Sequence, residues 1–115
     1  MNEMVKINVQ KAHEEFEIGD KVYQLSLADS HLIKIKKESE KIEKKLENMK
    51  SFEKILELTK ETMDMYFSKE GAGQEIFETC GKSTYVMTGV VKQIKDFISM
   101  KTEEIKAIKA EEYTN

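Results

Sequence analysis

The chain has 115 residues, enough for one domain with a modest core. Charged residues make up 36% and hydrophobic residues 39%, and the net charge is −3. No apolar run approaches the roughly 18–20 residues of a membrane span, and the opening residues lack the basic-then-apolar order of a secretory signal.

A single cysteine excludes an internal disulfide and points to a reducing compartment, with the cytoplasm as the expected location. Lysine supplies every Lys/Arg position. Without arginine the chain lacks the usual planar fork for phosphate and guanine, which argues against nucleic acid as a partner. Proline is absent, so helices can run without a built-in breaker.

Residues 1–27 read as a β segment. Val5, Ile7 and Val9 alternate with Lys6 and Asn8, the period of a strand with one buried face. Next comes "EFEIGDKVYQLSL", where Gly19-Asp20 suits a two-residue type II′ hairpin turn. That turn sets Ile18 opposite Lys21 and Phe16 opposite Tyr23, so Phe16 and Ile18 share a face with Tyr23, Leu25 and Leu27. So small a sheet is not stable alone; it requires helices, or another copy of itself, to cover it.

From Asp29 the period becomes helical. Leu32, Ile35, Ser39, Ile42, Leu46 and Met49 follow a 3-4 spacing and form one stripe, with lysine and glutamate on the other faces. Ser26 or Asp29 is the expected N-cap. The stripe slips at residues 48–51 and resumes as Phe52, Ile55, Leu56, Thr59, Met63 and Tyr66, with Ser51 as cap, which predicts a break. The rival is one continuous helix. Gly71 and Gly73 are expected to end this second helix. A two-turn helix over residues 73–80 buries Ile76 and Phe77, Gly81 ends it, and Ser83 caps a last helix carrying Met87, Val90, Val91, Ile94, Phe97, Ile98, Ile105 and Ile108. The expected fold class is therefore α+β. A small N-terminal antiparallel β-sheet, hairpin plus one strand, precedes three to four α-helices over residues 28–112, all in a single domain spanning residues 1–115.

"CGKST" at residues 80–84 invites a nucleotide reading. A P-loop requires G-x-x-x-x-G-K-[ST] after a strand. The first glycine position falls on Ile76, and a helical segment precedes it. A dinucleotide fingerprint starting at Gly71 and Gly73 also needs its third glycine at Ile76. His13, His31 and Cys80 lack metal-ligand spacing, and neither histidine has a local signature as base for a Cys80 nucleophile. The reading is a non-enzymatic protein with no cofactor. The lysines from Lys34 to Lys54 are interrupted by glutamates and have no interleaved aromatics for stacking bases, so a solvated helix face is favoured over a nucleic-acid surface.

Apolar side chains outnumber what one helix face buries in "MDMYF", which places Met63, Met65, Tyr66 and Phe67 in five positions. The bland account puts the segment centrally between sheet and helices. The functional account puts some of these adaptable side chains in a partner interface, together with Ile76, Phe77, Met87, Val91, Ile94, Phe97 and Ile98.

The order of these elements resembles the small tail assembly chaperones of long-tailed phages and prophages of Gram-positive bacteria. The match is carried by a short β segment with "INV" and "GDKVYQLSL", a charged helix, and then "YFSKEGAGQEIF" ahead of a last amphipathic helix. Tyr66, Phe67, Gly71, Gly73, Ile76 and Phe77 correspond to that family's helix ending in aromatics followed by G-x-G/A-x-x-I-F. The resemblance implies a protein that coats the long helical tape measure protein before the tail tube polymerises, acting in the host cytoplasm as a homo-oligomer. The alternative is a structural or regulatory oligomer without a client, using the stripe from Leu32 to Met49 as a coiled-coil seam.

Overall fold

A computed structural model describes residues 3–114, with side chains as far as residue 108. Its element order is β1 (His13–Ile18), β2 (Lys21–Ser26), α1 (Asp29–Glu47), α2 (Phe52–Phe67), α3 (Ala72–Thr79) and α4 (Thr84–Thr114). The class is α+β, a two-stranded antiparallel sheet followed by four helices. The chain falls into two compact units, Met1–Gly73 and Gln74–Asn115.

In the first unit the hairpin has the register read from its turn: Ile18 pairs with Lys21 and Phe16 with Tyr23. Gly19 has φ +67°, the sign a type II′ turn demands at its first central residue. One sheet face is interior, with Tyr23 and Leu25 buried and Phe16 half-buried. The expected third strand is absent from the sheet. The Leu27 amide still donates to the Ala12 carbonyl (2.8 Å), but the chain bends at Ala12, and residues 3–11 run outside the ladder. Met4, Val5, Ile7 and Val9 are 78–89% exposed there. Alternation selects a face for a strand but supplies no partner for its backbone, and among the described residues no strand takes it up.

α1 starts at Asp29 as expected, but its cap is Ala28, which makes no side-chain cap bond. The Ser26 hydroxyl instead accepts the Ala28 amide (3.2 Å), shaping the exit from β2. The predicted break is real: α1 ends at Glu47 and α2 begins at Phe52, with Ser51 Oγ accepting the Lys54 amide (3.4 Å). Residues 48–51 join the two helices, which pack on each other, while β2 packs on α2.

The end of α2 differs from the expectation. Ser68, not glycine, takes the left-handed position after Phe67 (φ 48°, ψ 40°). The Lys69 amide donates to Asp64 O and the Ser68 amide to Met65 O, closing the last turn. Gly71 lies just before α3 and Gly73 inside it.

In the second unit α3 ends as read. The Gly81 amide donates to Glu78 O and the Lys82 amide to Phe77 O, with Gly81 at φ +70°. The Ser83 hydroxyl accepts the Val86 amide (3.2 Å) and starts α4. At 31 residues, α4 is about 46 Å long.

Candidate functional site

The first unit converges on the last two turns of α2. Tyr66 and Phe67 are adjacent in sequence, so they point to different sides of the helix. Phe67 meets the sheet, edge-on to Phe16 (5.8 Å between ring centroids) and tilted against Tyr23 (5.2 Å). Lys69, just past the cap, sets its ammonium 5.2 Å from the Tyr23 ring centroid. Tyr66 faces α1, where it hydrogen-bonds Ser39 and lies near Glu43. Ser39, the one polar member of the α1 stripe, is thereby explained as the partner of a buried phenol. Burial pushes the Tyr66 phenol above its ordinary value of 10.0; the Ser39 bond opposes that shift, and the Glu43 charge adds to it.

His31 Nε2 donates to the Tyr66 carbonyl (2.7 Å), across 35 residues of sequence. A carbonyl only accepts, so this nitrogen carries the proton. The bond satisfies one of the carbonyls left open at the C-terminal end of α2.

Asp64 organises the turn over residues 68–73. Its Oδ1 accepts the Gly73 amide (2.7 Å) and its Oδ2 the Gly71 amide (3.1 Å). These donors stand at the start of α3, so a carboxylate from one helix caps the next and faces the positive end of its dipole. Gly73 lies against the α2 backbone, and a Cβ there would run into the Lys60 carbonyl. Lys60 and Asp64 are one helical turn apart on the face that meets Gly73. The sequence reading passed over Asp64. Its signal was a lone carboxylate inside an apolar run, "MDMYF", just ahead of two glycines.

The eleven residues proposed for a partner interface divide by exposure. Met63, Tyr66, Phe67, Ile76, Met87, Val91 and Ile94 are buried, whereas Met65, Phe77, Phe97 and Ile98 are half-buried. The central placement of "MDMYF" is what the structure shows, and an interface that used its buried members would require the chain to open. The α1 stripe is likewise engaged, with Ile35 buried and Leu32, Ser39, Ile42, Leu46 and Met49 half-buried.

Exposed apolar surface lies elsewhere. Along α4 the positions Met87, Val91, Ile94, Ile98, Lys101, Ile105 and Ile108 recur with 4-3 spacing. Met87 and Ile94 are buried, Ile98 is half-buried, and Ile105 and Ile108 are 43% and 59% exposed. Met100 is also exposed. One helical stripe thus passes from covered to bare along its length.

At residues 80–84 the Gly81 and Lys82 amides are bonded to α3 carbonyls. They are not free to cradle an anion, and a helix stop followed by a helix cap accounts for "CGKST". Burial raises the Cys80 thiol above its ordinary 9.0, which opposes thiolate formation. Among the described residues no group of three His, Cys, Asp or Glu side chains could hold a metal ion. None of the described helices is long and apolar enough to cross a membrane.

No protein-family model matches the chain, and neither does any curated protein or solved structure.

Proposed function

We propose that this chain is a non-enzymatic tail assembly chaperone of a long-tailed phage or prophage, which binds the long helical tape measure protein in the bacterial cytoplasm before tail tube polymerisation. The observation that carries the reading is the α4 stripe: a helical row of apolar side chains whose distal members, Ile105 and Ile108, are exposed. A bare row on a rod fits another helix laid along it, the helix-in-groove mode of recognition. Each such contact is small, and several copies along one extended client combine into strong but reversible holding. The order of elements adds support, since α2 ends in Tyr66-Phe67 and a tight turn leads into the short helix bearing Ile76 and Phe77, as the family resemblance requires.

Co-expression with a tape measure protein is the direct test. The expected result is co-purification and a rise in the client's solubility. Ile105→Glu combined with Ile108→Glu should abolish both, while changing the chain's own stability by no more than about 0.5 kcal/mol, as for exposed positions. A client that stays insoluble with the wild-type chain present would rule the reading out, and a fixed oligomer mass unaltered by a client fragment would favour an oligomer without a client.

A further inference from the structure

Residues 4–9 have the pattern of a strand, yet they lie outside the sheet. Val5, Ile7 and Val9 are β-branched, alternate with Lys6 and Asn8, and are 78–88% exposed. Beside them stands a sheet of only two strands, and among the described residues no strand pairs with the outer edge of β1.

The backbone phase of the hairpin identifies an edge to which this segment fits. Leu27 donates to Ala12, the pair that continues the β1–β2 register. Backbone groups alternate sides along a strand, so Ala12, Glu14, Phe16 and Ile18 direct theirs towards β2, while His13, Glu15 and Glu17 direct theirs outward. Residues whose backbone faces an added strand are Lys6 and Asn8 when Val5 and Ile7 lie on the Phe16 face.

One antiparallel register satisfies all of this. It sets Lys6 opposite Glu17, Ile7 opposite Phe16 and Val5 opposite Ile18. The apolar side chains then extend the interior face of the hairpin, and the lysine meets a carboxylate on the outer face, where Glu15 lies within 3.9 Å of His13. The six residues of the segment match the six of β1.

The chain does not take that register on its own β1. Doing so would need a tight reversal at Lys11-Ala12, whereas residues 3–11 run outside the ladder. None of Gln10, Lys11 and Ala12 has the positive φ of such a reversal.

We propose that residues 4–9 form a donated strand that adds to the open edge of β1 in a second copy of the chain. Reciprocal donation closes a two-fold dimer, with each hairpin gaining a third strand from its partner. The partner is committed by complementarity between two parts of one sequence: the alternation of Val5 and Ile7 against Phe16 and Ile18, and the charge of Lys6 against Glu17.

The test is a mixed cross-linking experiment on the full-length chain with Cys80→Ser. One population carries Lys6→Cys and the other Glu17→Cys. Opposed positions on antiparallel strands lie within disulfide reach, so oxidation of the mixture should give a disulfide-linked dimer containing one chain of each kind. Sedimentation of the wild-type chain should give twice the single-chain mass. Asn8→Pro, which removes a backbone donor that faces β1 in this register, should halve that mass and leave helical circular dichroism unchanged. A single-chain mass for the wild type, no cross-linked dimer in the mixture, or a doubly substituted chain that closes only on itself would each overturn the proposal.

Discussion

At the scale of single residues, Asp64 and Gly73 decide how the chain turns from α2 into α3. Two amides share the Asp64 carboxylate, and hydrogen bonds to a charged group contribute more than neutral ones. Asp64→Ala should therefore lower stability by about 2–4 kcal/mol in urea titration. Asp64→Asn keeps one acceptor and should lose less. Gly73→Ala meets the Lys60 backbone and should cost about 1–3 kcal/mol or more, as overpacking does. Gly89→Ala is the control: it lies inside α4 with open space where the methyl would go, so it should gain about 0.5–1 kcal/mol. If both glycine variants behaved alike, close approach would not be the reason for Gly73.

Two buried acids make stability fall at alkaline pH. Burial raises both the Tyr66 phenol and the Cys80 thiol in the folded chain. The unfolded chain then releases these protons first as pH rises. The stability that depends on their protonated forms is full well below pH 9.0 and falls as pH rises through the ordinary values of 9.0 and 10.0 towards each raised folded value. Cys80→Ala should move the onset of that fall upward. Tyr66→Phe should make the slope shallower, although it also loses the Ser39 bond and is less stable at neutral pH. An unchanged alkaline slope in both variants would count against this account.

At the scale of elements, α3 carries a graded interior. The sequence places Ile76 and Phe77 together on its buried side; the structure buries Ile76 completely and leaves Phe77 half-buried. Adjacent helical residues are offset by about 100°, so only one of them sits at the centre of the face. Ile76→Ala should cost about 2–5 kcal/mol and Phe77→Ala less than the roughly 3–5 kcal/mol of a fully buried phenylalanine, measured by chemical denaturation. The reverse order would mean that the face of α3 is rotated. The other ends of the elements show how far local signals reach. Ser51, Gly81 and Ser83 act where the sequence places them, because a cap bonds within its own turn. Ala28 replaces Ser26 as cap because the Ser26 hydroxyl is taken up in the sheet exit. Ser68 replaces the glycines because the helix stops three residues earlier than its glycines suggest.

At the scale of the whole molecule, the class, the hairpin register and the break between α1 and α2 are determined by the sequence alone. Each depends on periodicity or on a turn, and those are properties of neighbouring residues. The partners of Tyr66, His31 and Asp64 were decided only by tertiary structure, as was the placement of residues 4–9 outside the ladder. Those outcomes depend on which distant backbone groups are already occupied when the elements meet: Leu27 holds Ala12, and the carbonyl of Tyr66 is left open for an imidazole 35 residues away. A hydrogen-bonding group can be read from a sequence, but whether another group has already claimed its partner is settled only when the chain is folded.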